Sequence, residues 1–312
     1  MTSFSDLHAF CLYLVHRHGD PATLNEDQKA DEFRNLYGLK DPISASDLAG
    51  VAACCDIEVS RLPNMPANVR GFHEEYGEHR KIYYKQGDVL SGIENTILHE
   101  IREMMEPHLV EVFPSYQPLD KDALHIAANR FASAVLLPRK SFTSMVYETG
   151  LDVFELAGYY GKSVSQVLLR MGEVLDGKYF FYGAIYDRDR KQGAWSVSYR
   201  TLCSTLFPDP NVEELGAFFP AKGTTVTPNT IVDMAIKGGK AHLVRISTLL
   251  DALPQQKGME MRGMIALARP LHKSDVISKV VLTVMLGRDR NLLEPQISRI
   301  KPEIILRSHS NL

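Results

Sequence analysis

Apolar residues at Leu7, Phe10, Leu12, Leu14 and Val15 recur at helical spacing and predict a helix over residues 5–18. Ser44 reads as an N-cap and Asp47, three residues on, completes a capping box, so another helix is expected to open there. Residues 57–59 read as a short strand. Residues 68–72 and 81–84 look like two more, with the polar residues 74–78 as their hairpin. A helix follows over 93–105. Pro107, Pro114 and Pro118 mark an irregular link, and Pro107 is expected to end the helix before it. Residues 121–137 form the next helix, stopped by Pro138, and a short helix follows over 138–149.

From residue 150 the pattern reads helix, Gly161-Lys162 turn, helix, with the first helix over 153–160 and the second over 163–171. After Lys178 the texture changes to strands: 179–186, 194–200, 242–246, 261–268 and 280–286. Helices and strands segregate along the chain, which predicts an α+β class in three parts, 1–149, 150–177 and 178–312. Lys237-Gly238-Gly239-Lys240 lacks a phosphate-binding pattern and reads as a turn.

Composition narrows the function classes. The 312 residues carry a net charge of -3, which argues against nucleic-acid binding driven by bulk charge. Cys11, Cys54, Cys55 and Cys203 form no C-x-x-C pair, so reduced thiols are expected rather than a cysteine zinc site. No run of about 18 apolar residues occurs, and the first residues lack a basic and then apolar leader; a cytoplasmic protein with no membrane partner is expected.

The chemistry concentrates in His99-Glu100-Ile101-Arg102-Glu103. Four residues apart on a helix, His99 and Glu103 share a face, and both side chains ligate divalent metals. Glu100 stands where H-E-x-x-H enzymes keep the carboxylate that takes a proton from water. Taken alone, the segment also fits a solvated helix face with ion pairs such as Arg102 with Glu106. His108 is a further candidate ligand on the same stretch.

Residues 96–100 together with the following His125-Ile126-Ala127-Ala128-Asn129-Arg130-Phe131-Ala132, running to Leu136-Leu137-Pro138, resemble the ImmA/IrrE family of metallopeptidases. That family pairs an H-E-x-x-H helix with a segment E-x-x-A-N-x-F-A-x-x-L-L-x-P whose glutamate is the third ligand. Here Glu103 stands at the second histidine and His125 at the glutamate, so two histidines and one carboxylate are kept but permuted. The resemblance implies a zincin-like core, with Zn2+ or Mn2+ held by His99, Glu103 and His125 and with Glu100 as general base. Arg102 replaces the family's usual glycine, a cation beside a metal unless it turns to solvent or pairs with Glu106. In such folds the strand before the motif helix, here 81–84, offers an edge to an extended substrate.

The order of parts resembles the IrrE type along nearly the whole chain, which implies a central helix-turn-helix and a C-terminal GAF-like sensor or docking domain. Lys162, Ser163, Ser165, Gln166 and Arg170 are the candidate DNA contacts; few phosphates face so few cations, and an internal structural role is the competing reading. The function implied is a stress-responsive endopeptidase that cleaves a helix-turn-helix repressor, with a homodimer as the candidate assembly. The alternative is a non-proteolytic transcription regulator or ligand sensor on a degenerate peptidase scaffold.

Overall fold

The structure, a computed structural model, describes residues 6–66, 68–77, 79–149, 151–176, 179–189, 193–203, 219–246, 263–273, 275–287 and 305–307. Residues 1–5, Glu78, Gly150, Lys178, Met261 and Arg262, on which parts of the sequence reading fall, lie outside them. The chain divides into two compact units, residues 1–142 with 158–163, and residues 143–157 with 164–312. No helix among the described residues is long and apolar enough to cross a membrane. The whole is α+β, as its sequence pattern predicts.

The first unit opens with α1 (Leu7–His18), whose N-cap is Asp6, and α2 (Glu26–Tyr37). The α2 helix starts at Asn25, where the Asn25 and Gln28 side chains each accept the other's backbone N–H in a capping box. The expected Ser44 box, shared with Asp47, opens α3 (Ala45–Cys54). Strands β1 (Ile57–Leu62), β2 (Gly71–Tyr76) and β3 (His79–Lys85) form a sheet in the order β1-β3-β2.

Two details of that sheet correct the sequence reading. The expected strand 68–72 begins only at Gly71, and residues 74–76, expected in the hairpin, belong to β2. Glu74 lies opposite Lys81 and Glu75 opposite Arg80, cross-strand charge pairs that extend the ladder to the turn at Gly77. Moreover, β3 has no free edge, because β1 pairs with one side and β2 with the other. Among the described residues, the strand with an unpaired side next to the motif helix is β2.

That helix is α4 (Leu90–Val112). It runs through Pro107 instead of ending there. A proline inside a helix costs about 3 kcal/mol; burial of Met104, Met105 and Leu109 on either side of it offsets that cost. α4 packs against α1, α3, β2 and α5 (Lys121–Leu136). In the core, Phe33 of α2 meets Phe10 and Phe131 edge-on, each at 5.4 Å. Ala128, Phe131, Ala132 and Val135 form the buried stripe of α5; His125 and Asn129 lie along its more exposed margin.

Downstream helices are α6 (Arg139–Glu148), α7 (Val153–Tyr160) and α8 (Val164–Leu175), the last two flanking a turn at Gly161. In the second unit, α8 buries Val167, Leu168, Met171, Val174 and Leu175 and packs on β4 (Tyr179–Arg188). The remaining strands are β5 (Trp195–Cys203), β6 (His242–Ile246), β7 (Gly263–Lys273), β8 (Val276–Gly287) and β9 (Ile305–Arg307), in the sheet order β5-β4-β8-β7-β6-β9. Residues 179–186 of β4 are all buried, as an apolar central strand requires. Between β5 and β6, α9 (Ile231–Gly238) ends at Gly239, whose left-handed backbone caps the helix; this is the turn expected over 237–240.

Candidate metal centre

α4 and α5 bring His99, Glu103 and His125 together: one donor atom from each lies within 4.8 Å of the others. His99 Nε2 is 3.0 Å and His125 Nδ1 3.7 Å from the same oxygen, Glu103 Oε1. The two rings stand edge to face with centroids 4.7 Å apart. Donor atoms around a tetrahedral zinc with legs of about 2.0–2.1 Å lie roughly 3.3 Å apart, close to these spacings. His99 is buried, Glu103 is partly open, and His125 is exposed on its outer side.

Asn129 decides which nitrogen of His99 faces the cluster. Its amide nitrogen donates to the His125 carbonyl at 2.9 Å, so its oxygen is left to accept from His99 Nδ1 at 3.2 Å. With the Nδ1 proton so placed, a neutral His99 turns an unprotonated Nε2 toward a carboxylate oxygen. Two lone pairs at 3.0 Å repel unless a proton or a cation sits between them. Two imidazoles, a carboxylate and an outer-shell amide fixing the tautomer form a donor set that fits a divalent ion such as zinc.

Glu100 is buried and turned aside from that triad. Its Oε2 accepts from His73 Nδ1 at 2.7 Å. This hydrogen bond, opposed by burial and aided by the charges of Glu100 and Glu103, raises the His73 pKa above its ordinary value. His73 lies on β2, and Gly71 explains how it reaches α4. A Cβ at Gly71 would stand 2.1 Å from Thr96 Cγ2 and 2.6 Å from the Tyr83 carbonyl oxygen. Without one, the strand passes directly over Thr96; two residues along the strand and four along the helix, His73 meets Glu100. A single histidine in a polar strand carries no spacing signal, so the sequence reading missed it. His73, Glu100 and Glu103 themselves form a second possible ligand group that shares Glu103 with the first.

Arg102 bears no charge on the site's open side. It is fully buried; Nε and Nη2 donate to the two oxygens of Glu26 at 2.9 and 3.1 Å, and Nη1 donates to Glu106 at 2.9 Å. Burial opposes its charge, but the bonds and charges of Glu26 and Glu106 outweigh burial and hold it above the usual arginine range. The expected Glu106 pair is present, with Glu26 as a partner the sequence reading missed. The asparagine cap and Gln28 beside Glu26 were the local signal for that helix. α4 is therefore not the solvated ion-paired face that the segment alone permits.

The remaining site candidates are placed as follows. His108 lies in a different cluster, with His8 and Glu111. Lys162 is buried, donating to Glu94 and, at 2.8 Å, to the Ile43 carbonyl. Arg170 is buried and donates to Glu173 at 2.8 Å. Ser163, Ser165 and Gln166 are partly buried. Both cations of the candidate DNA face are thus engaged by carboxylates within their own units.

Residues 52–171 match the family described as Peptidase_M78, IrrE N-terminal-like domain. The match bears out the resemblance read from the α4 and α5 segments. Comparison with curated proteins finds no match. Among solved structures, the fold is similar to that of a Mycobacterium tuberculosis transcriptional regulator at 12% identity and a TM-score of 0.53, covering 97% of this chain and 88% of that one.

Proposed function

We propose, from residues 52–171 being an IrrE N-terminal-like domain of the Peptidase_M78 family, that this protein is a metal-dependent regulatory endopeptidase whose substrate is a helix-turn-helix repressor. The carrying observation is the convergence of His99, Glu103 and His125, with Glu100 buried beside them and outside the triad. On this reading the first unit supplies a zincin-like core, residues 153–175 a helix-turn-helix in a structural role, and the second sheet a GAF-like sensor.

His99, Glu103 and His125 would hold Zn2+ or Mn2+. Bound there, the ion supplies a Lewis acid and lowers the pKa of water. Glu100 acts as general base through Oε1, since Oε2 is engaged by His73, and returns the proton to the leaving amine nitrogen. The ionised carboxylate only accepts, so His73 donates and fixes the plane in which Glu100 reacts. The free side of β2 gives an extended peptide backbone hydrogen bonds beside the site.

Two measurements test the reading. Metal analysis should show zinc or manganese, of which the one equivalent held at this site is lost on replacing His99 and His125 together. The loaded protein should cleave the helix-turn-helix repressor encoded nearest its gene, and Glu100→Ala should abolish cleavage while leaving the metal bound. Retention of the same metal content without His99 and His125 overturns the site. Metal binding with no cleavage of such repressors overturns the peptidase in favour of a non-proteolytic regulator.

A further inference from the structure

His108 is the starting point. Among the described residues its buried Nε2 has no hydrogen-bond partner, and its Nδ1 is 3.8 Å from Glu111 Oε2, too far for a hydrogen bond. A half-buried imidazole satisfied at neither nitrogen is costly and unusual. The same Glu111 oxygen lies 3.3 Å from His8 Nδ1 on α1. The two rings stand perpendicular, with centroids 5.7 Å apart. One donor atom from each of the three side chains falls within 4.8 Å of the others.

His108 and Glu111, three apart, share one face of α4. His108 follows His99 by nine residues, which places it about half a turn round the helix and roughly 13 Å along it. The cluster therefore shares no ligand with the first site. Burial, then the Arg80 charge on β3, lower the His108 pKa, with the His8 imidazole acting the same way and Glu75 on β2 and Glu111 opposing them, which favours the neutral imidazole that ligates a metal.

We propose that His8, His108 and Glu111 form a second metal site that binds a borderline divalent ion such as zinc or cobalt and ties α1 to the end of α4. Two imidazoles and one carboxylate suit such ions better than magnesium or calcium, which take oxygen. Its place in the fold indicates its role. Pro107 cannot donate to the Glu103 carbonyl, so the ladder of α4 is broken just before His108. A cross-helix ion would hold the segment beyond that break and steady Glu103, a ligand of the first site, from the far side of the helix. The proposal rests on residues outside the peptidase site and stands whether or not the chain cleaves anything.

The test uses full-length protein and zinc or Co2+ alone. In a His99→Ala, His125→Ala background, zinc should remain after desalting, and Co2+ should give a visible absorption band of a nitrogen-ligated site. Adding His108→Ala should remove both. His8→Gln and Glu111→Gln, at more exposed positions that spare the core, should each weaken zinc about tenfold or more by chelator competition. Zinc should also raise the melting temperature of the background protein and lose that effect in all three added variants. A background protein that binds no zinc overturns the proposal. So does zinc binding that survives both His8→Gln and Glu111→Gln.

Discussion

Two clusters of buried charge share α4 and the same residue types, yet differ in whether they close upon themselves. Around Arg102 every strong group has its complement. Glu26 receives Arg102 and Lys29; Glu106 receives Arg102, the Tyr116 hydroxyl and the Leu119 amide. Around His99 the groups are nearly all acceptors. Among the described residues Glu100 and Glu103 meet imidazoles, and the amide nitrogen of Asn129 donates elsewhere, to the His125 carbonyl. A saturated network builds a protein; an acceptor-rich one is completed by what binds there. Sequence composition alone does not separate the two, because a glutamate next to an arginine and a glutamate next to a histidine look equally well paired.

The comparison breaks most sharply at Arg102. Arg102→Met leaves Glu106 buried without its cation and Glu26 with Lys29 alone, and should cost about 3–5 kcal/mol in denaturant unfolding. A loss under about 1 kcal/mol, the value of a surface pair, would mean that the network is not closed. On the open side, Asn129→Ala should leave stability nearly unchanged and weaken metal at His99 by about 10–100-fold, since the group fixing the ring's tautomer is removed. Chelator competition in a His108→Ala background isolates that site.

The smallest expected effect is acid sensitivity. Burial would raise the Glu26 pKa, but the bonds and charge of Arg102, with Lys29, outweigh burial and hold it below the ordinary 4.5. A carboxyl depressed in the folded state stabilises the fold above that ordinary value and loses the contribution as pH falls through the folded one. Melting temperature should therefore drop as pH falls below 4.5, with a shallower drop in Arg102→Met. Equal acid limbs in the two proteins would detach Glu26 from the network.

The α4 part of the α4–α5 triad was legible because its logic is local: helical spacing puts His99 and Glu103 on one face. Ser44 and Asp47 were legible for the same reason. His125 was legible only through the resemblance of the α5 segment to the family pattern, whose ligand position it fills. What escaped depends on distant partners. Glu26 meets Arg102 across 76 positions, and His73 meets Glu100 across 27. Pro107 looked like an end because its cost is local, while the burial that offsets it is tertiary. The middle place of β3 follows from β1 pairing parallel to it, which no alternation of side chains along β3 announces.

Gly71 fixes the clearance between a strand and a helix by lacking a side chain. Two neighbours set that clearance, and one of them is main chain, the Tyr83 carbonyl oxygen at 2.6 Å from where a methyl would sit. A rotamer change at Thr96 would relieve only the other. The separation of His73 and Glu100 is thus gauged by backbone against backbone, and compensating substitutions elsewhere in the core have little means of readjusting it. Position 71, with no reactive group of its own, is accordingly among the least exchangeable in the neighbourhood of the site.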